Sequence, residues 1–151
     1  MSENTTAKKY EFTGETRVIV KNDVEIELKR IRALKDLKPE QMHGEVHKGD
    51  IGGWIESEDN LSHDGMCWVD DEAMVFEQAV VKDNAYICGN ARIEESAVVC
   101  GNASADEHAV VAGKSTLAGL AIVYDNAQIR GLVTIDGDII IKGNTVLTSI
   151  V

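Results

Sequence analysis

The sequence predicts an all-β protein that is mainly a solenoid of short parallel strands, and three observations support this class. From Cys67 to Val151 the chain repeats every six residues without a slip. A small residue, usually Ala, recurs once per repeat, and an aliphatic residue follows two positions later everywhere except at Ala105. Gly or an acid precedes the small residue by two positions in all thirteen repeats. A fixed short period of this kind is the mark of a solenoid.

Each repeat of six residues predicts one short strand and one corner. Side chains two positions apart lie on the same side of a strand, whereas in a helix they would be separated by about 200°. Gly, Asp and Asn suit the corners because they tolerate positive φ. The predicted corner column reads Asp71, Glu77, Asp83, Gly89, Glu95, Gly101, Glu107, Gly113, Gly119, Asp125, Gly131, Gly137 and Gly143.

This repeat closely resembles that of the hexapeptide-repeat family, whose fold is a left-handed parallel β-helix of triangular section. Three hexads make one coil in that family, so thirteen to fourteen hexads imply four to five coils over residues 67–151. We therefore expect an all-β left-handed parallel β-helix with a small N-terminal β-rich cap.

The region before the repeats divides into a flexible tail, residues 1–8, and the β-rich cap, residues 9–66. Two segments of the cap, RIRALKDL and KGDIGGWIESEDNLS, resemble the N-terminal portion of hexapeptide-repeat proteins carried by enterobacteria and tailed phages. Trp54 and Trp68 offer bulk to cover the open end of the coil core. The alternative is that Trp54 stacks on a ligand beside Gly52 and Gly53.

The charge distribution restricts the classes of partner. Residues 1–50 hold ten basic and ten acidic residues, whereas residues 51–151 hold five and sixteen, which accounts for the net charge of −11. This acidic field disfavours nucleic acid and anionic membranes as ligands. No apolar run is long enough to span a bilayer and no signal peptide is evident, so we expect a cytoplasmic protein. The three cysteines form neither a zinc motif nor a disulfide framework.

The sequence contains few candidates for catalysis or metal binding. Acyltransferases of the hexapeptide-repeat class use a histidine base and usually a long loop that interrupts the repeat, and this repeat has no such loop. His108 is the one catalytic candidate, but it occupies a corner column that elsewhere holds Asn, which favours a structural role. A metal site formed by His43, His47 and His63 would need the loop after Pro39 to fold onto the cap, so we predict no metal.

A basic segment in the cap is the best candidate for binding an anion such as a nucleotide or CoA phosphate. It contains Arg30, Arg32 and Lys35, and Trp54 offers a stacking surface. The favoured alternative is that these basic residues pair with Glu25, Glu27 and the acids of the cap.

Outward positions of the strands predict an oligomer interface. Sorting these positions by a period of eighteen separates three faces, two of which carry apolar stripes. The candidate interface residues are Val80 and Val98 on one face and Tyr86, Ile122 and Tyr124 on another. Members of the family typically form threefold assemblies, so the resemblance implies a trimer, with a hexamer as the second possibility.

Two functional classes remain open at this point. The first is a non-catalytic oligomeric binding or scaffold protein without a cofactor, phage- or prophage-borne, which captures a host protein or a small, anionic ligand. The second is a CoA-dependent acyl- or acetyltransferase. The uninterrupted repeat and the acidic field favour the first.

Overall fold

The computed structural model describes residues 7–42 and 44–148, and nearly all of its regular structure is β. Two long strands open the chain, β1 (Tyr10–Lys21) and β2 (Val24–Ala33), followed by β3 (Ile51–Ile55) and a 3₁₀ turn at Glu58–Asn60. Two-residue strands then follow: β4 (Trp68–Val69), β5 (Met74–Val75), β6 (Val80–Val81), β7 (Tyr86–Ile87), β8 (Arg92–Ile93), β9 (Val98–Val99), β10 (Ser104–Ala105), β11 (Val110–Val111), β12 (Thr116–Leu117), β13 (Ile122–Val123), β14 (Gln128–Ile129), β15 (Thr134–Ile135), β16 (Ile140–Ile141) and β17 (Val146–Leu147).

The short strands stack into a parallel β-solenoid of about five turns, which confirms the predicted β-helix class. Strands β3, β5, β8, β11, β14 and β17 form the first face; β6, β9, β12 and β15 form the second; β4, β7, β10, β13 and β16 form the third. The coil pairing reaches back into the cap region, because β3 pairs in parallel with β5.

The core of the solenoid consists of the predicted small and aliphatic columns. Val111 pairs in register with Ile93 on one side and with Ile129 on the other, so these side chains stack one coil apart. All three are fully buried, as is Cys67 in the small-residue column. Small residues let the strand approach the coil axis, and the aliphatic residues fill the space that remains.

The corners also follow the sequence, because all thirteen predicted corner residues have positive φ. Six of them are acids with φ between 55° and 60°, a conformation that costs energy outside Gly. Hydrogen bonds to their carboxylates offset part of this conformational cost. The carboxylates of Asp71, Glu77, Asp83, Glu95 and Asp125 each accept the backbone N–H of the corner residue eighteen positions later. The acids therefore connect successive coils.

We expect these corner bonds to make stability fall in acid. The Glu95 carboxylate accepts the Gly113 N–H at 2.7 Å, and this bond, assisted by Lys21, lowers the pKa of Glu95. A lowered pKa contributes stability above the unfolded-state pKa, about 4.3, and the contribution is lost as pH falls through the folded-state value. Glu95→Gln should therefore flatten the decline of the urea midpoint below about pH 4.

The matched control for Glu95 is Glu107→Gln in the same corner column. The Glu107 side chain accepts no hydrogen bond from the described residues, although its φ is also positive, at 57°. This change should leave the acid decline as in the parent protein. Equal pH profiles for the parent and Glu95→Gln proteins would contradict the proposed role of the corner bond.

The N-terminal hairpin of β1 and β2 packs against two surfaces of the solenoid. Ile26 and Leu28 pack on the outside of the first face, whereas Ile31 and Ala33 join the main core at its N-terminal end. Along β2, the side chains that point inward therefore have even residue numbers up to Leu28 and odd residue numbers from Ile31 onward. An irregularity in the β1–β2 register between Phe12 and Thr16 accompanies this change.

The two tryptophans occupy different places, which differs from the expectation that both fill the core end. Trp68 belongs to the main core beside Tyr10, as expected. Trp54 lies instead on the outside of the first face, under Ile26 and Leu28, and is 2% exposed. The reason is that successive side chains of β3 point to opposite sides, so Ile55 points toward the core and Trp54 points away from it.

Packing inside the protein accounts for the two glycines next to Trp54. A Cβ at Gly52 would lie 2.6 Å from Trp68 Cζ2, and one at Gly53 would lie 2.7 Å from the Ala73 carbonyl oxygen. Neither position can hold a larger residue without displacing the first coil. The glycines therefore serve close packing between β3 and the following strands.

Candidate functional site

A pocket of about 320 Å³ lies on the third face, beneath the segment that links β2 to β3. Its size falls at the lower end of the range typical of small-molecule sites. The lining residues come from three successive coils and from the linking segment: Gln41, Met42, Tyr86, Cys88, Ser104, Asp106, Ile122 and Tyr124.

The pocket exists because a small outward residue stands between two large ones. Ser104 pairs in register with Tyr86 on one side and with Ile122 on the other. Two strand spacings place the Cα atoms of Tyr86 and Ile122 about 10 Å apart. Ser104 does not fill the space between the larger side chains, so it forms the floor of a notch in an otherwise continuous face.

The linking segment forms the roof of the notch. Leu37 and Val46 bridge each other and are buried, which fixes the base of the segment against the core. The Gln41 Nε2 donates to the Asn102 carbonyl oxygen at 3.0 Å, and Met42 packs against the core. The roof is therefore attached to the solenoid both by apolar contact and by a hydrogen bond.

Burial raises the pKa of two groups at the pocket: Asp70, which accepts the Tyr86 hydroxyl, and Cys88, which belongs to the lining. The Tyr86 hydroxyl donates to Asp70 Oδ2 at 2.8 Å, and burial raises the pKa of Asp70. Burial, reinforced by Asp106, also raises the pKa of the Cys88 thiol well above its usual range. Because the thiolate is the reactive form, Cys88 is poorly suited to act as a nucleophile.

The predicted anion site is divided by the structure. Arg30 and Trp54 lie together, with the guanidinium carbon 4.8 Å from the ring centroid, and Arg17 lies 4.2 Å from it. Both arginines pair with Glu72, whose carboxylate also accepts from Trp54 Nε1 at 3.2 Å. A ligand on this ring would have to displace an arginine already paired with a carboxylate.

The other two members of the predicted anion site lie apart from Trp54. Arg32 pairs with Glu11 at 2.8 Å, and Lys35 is exposed in the segment after β2. These pairings involve acids of β1 and of the coil rather than Glu25 and Glu27. Anion binding by the basic segment stays a prediction, and the structure gathers only Arg30 and Trp54 at one place.

The described histidines lie outside the pocket. His63 stacks on Tyr10 at 4.1 Å, accepts the Lys9 N–H through Nδ1, and lies 2.7 Å from Glu58 through Nε2. His47 is exposed and its backbone N–H donates to Asp50. His43, the third member of the metal candidate, lies outside the described residues, and no metal-ligand cluster is found among those that are described.

We expect His108→Asn to leave folding and binding unchanged. His108 is exposed at a corner and its backbone N–H donates to Asp125 O, a bond that Asn retains. Asn90 and Asn126 occupy the same column one coil away on either side and make the equivalent backbone bond. Thermal melting and ligand titration of the variant check this prediction. A lost activity with an unchanged melting temperature would instead assign His108 to catalysis.

The predicted interface residues divide between two different environments. Val80 and Val98 lie on the second face and are partly buried. Tyr86, Ile122 and Tyr124 lie on the third face and line the pocket. The stripe on the third face therefore lies next to the segment that carries Gln41 and Met42, which sets it apart from the stripe on the second face.

Sequence reasoning did not predict the pocket, although a signal for its floor was present. Ser104 and Ala105 are both small where neighbouring coils carry large residues, and Ala105 is the one exception in the aliphatic column. Two small residues in a row distinguish β10 from the neighbouring strands and leave space beside it. Gln41 and Met42 carried no comparable signal, because the segment around them has no repeat.

Comparison with known proteins adds no assignment: no family model matches the chain and no curated protein matches it significantly. Among residues 7–42 and 44–148, no helix is long and apolar enough to cross a membrane.

Proposed function

We propose that this chain is an oligomeric, non-catalytic binding protein of the hexapeptide-repeat type that holds a small ligand on its third face. The observation that carries the proposal is the roofed pocket over Ser104, which combines apolar walls with a few polar groups. That combination is typical of small-molecule sites. Phage or prophage origin, and sequestration of a host metabolite or protein, fit this activity.

The chemistry of the pocket supports binding in preference to acyl transfer. None of the described lining residues is a histidine, and the one thiol there is kept protonated by burial. The phosphates of CoA would also approach Asp106 and the acidic half of the chain. A CoA-dependent acyltransferase remains the alternative, and no contact in the described residues specifically favours it.

The experiment is to fill the pocket and compare what co-purifies. Ser104→Ile is suited to this because the same outward column holds Ile122 and Ile140, one and two coils away. Val110→Ile on the first face is the control, since it places an Ile at an outward position away from both the pocket and the second face. Small molecules are extracted from each purified protein and identified by mass spectrometry.

We expect a compound that is retained by the parent and control proteins and absent from Ser104→Ile. Identical extracts from all three folded proteins would contradict ligand binding at this site. A thermal stabilisation by acetyl-CoA that Ser104→Ile abolishes, together with acyl transfer, would favour the alternative.

For assembly, we propose that the second face forms the interface of a trimer. The first face is partly covered by the hairpin and the third by the segment carrying Gln41, whereas the second presents the partly exposed Val80 and Val98. Closed threefold packing would bury this stripe and limit further growth.

We expect light scattering at micromolar concentration to give three times the chain mass. Val98→Lys should yield a folded monomer, because three charges would be buried at the interface. Ile122→Lys, the corresponding change on the third face, should leave the trimer intact. A stable monomer for the unmodified protein, or dissociation by Ile122→Lys alone, would contradict the choice of face.

A further inference from the structure

We infer that the pocket on the third face selects a small organic cation, an ammonium group with apolar substituents. The inference rests on the proposed function and specifies its ligand. It differs from the expectation of an anionic ligand, which came from the basic segment of β2 and not from this pocket.

The charges around the pocket favour a positive ligand. Among the described residues, the lining contains one carboxylate, Asp106, and no basic side chain. The Tyr86 hydroxyl donates to Asp70, so the ring of Tyr86 and not its hydroxyl is available to a ligand. The nearest basic residue along the same outward column is Lys142, one coil beyond Tyr124, and it forms no ion pair with Asp106. A chain of net charge −11 adds a field that attracts cations.

The apolar surface suits a substituted ammonium better than a metal ion or a hydrated inorganic cation. Tyr86 and Tyr124 contribute aromatic rings, and Met42 and Ile122 contribute aliphatic surface. Aromatic rings attract ammonium groups through the negative charge at their faces, and this attraction is strongest where water is excluded. A volume of about 320 Å³ accommodates a ligand of the size of choline.

Two polar groups are left to orient such a ligand. Ser104, at the floor of the pocket, contributes a hydroxyl that makes no hydrogen bond with the other described residues and is open to the pocket. Gln41 donates through Nε2 to Asn102 O, which leaves its Oε1 as an acceptor at the roof.

The test compares choline with its neutral isostere, 3,3-dimethylbutan-1-ol, which replaces the nitrogen with carbon. Calorimetry and ¹⁵N-resolved NMR titration measure the binding of each to the full chain. We expect choline to bind at least about tenfold more tightly, with shifts at Ser104 and Tyr124. Asp106→Asn should remove most of this preference, because Asn can still accept the Glu107 N–H but carries no charge.

Asp136→Asn on the second face is the matched control and should retain the preference for choline. Tyr124→Leu should weaken choline more than the neutral alcohol. Equal affinities for the two probes would overturn the cation class and leave ligand binding by the pocket in place. Absence of saturable choline binding up to about 10 mM in the folded protein would overturn the inference as well.

Discussion

Replacing Val111 with Asp is expected to abolish folding of the solenoid. Val111 is fully buried and stacks between Ile93 and Ile129, so an Asp side chain there would meet only aliphatic groups. Burying an unpaired carboxylate costs several kcal/mol, about 4 or more, which is comparable with the whole stability of a small domain. Circular dichroism and solubility of the purified variant measure the effect.

The matched control for Val111→Asp is Val110→Asp on the same strand. Val110 points outward between Arg92 and Gln128, so the new carboxylate would remain hydrated beside a guanidinium group. This variant should fold with a stability within about 1 kcal/mol of the parent. A soluble Val111→Asp protein with an unchanged melting curve would contradict the assignment of this column to the core.

The second large effect is expected from Lys21→Met at the end of β1. The Lys21 ammonium lies 2.7 Å from Glu77 Oε1, 2.8 Å from Glu94 Oε1 and 3.3 Å from Glu95 Oε2. The Glu94 side chain is 6% exposed, so removing its partner leaves a buried carboxylate with only Arg92 beside it. We expect a loss of about 3 kcal/mol in the free energy of unfolding.

Lys21→Met keeps an apolar side chain of similar size and removes the ammonium group, which also lies 5.8 Å from the centroid of the Phe76 ring, so the loss would report mainly the charge. Adding Glu94→Gln should recover part of the stability, because the buried charge is then absent. Lys114→Met is the control, since Lys114 is exposed at a corner and makes no ion pair among the described residues. Chemical denaturation curves that coincide for Lys21→Met and Lys114→Met would contradict this account.

The pairing of Lys21 explains how the neutral N-terminal part, residues 1–50, and the acidic remainder of the chain are held together. Arg17, Lys21 and Arg30 in the hairpin each pair with acids of the coil that are more than forty residues away in sequence. The excess of acid in residues 51–151 is thus partly neutralised by the cap. The sequence showed the two charge totals but not which residues meet.

The sequence alone determined the solenoid, its columns and its corners. These features are local: side-chain direction alternates along each strand, and each corner needs a residue that accepts positive φ. The same pattern repeats thirteen times, so one local rule specifies the register of Ile93, Val111 and Ile129 without knowledge of distant parts of the chain.

Only the tertiary structure decided where the non-repeating cap lies. The hairpin changes its inward side between Leu28 and Ile31, which places Trp54 on the first face and Tyr10 at the end of the core. The segment with Gln41 crosses to the third face and turns the gap at Ser104 into a pocket. Such contacts depend on long-range packing without a repeating pattern, and local periodicity therefore carries no information about them.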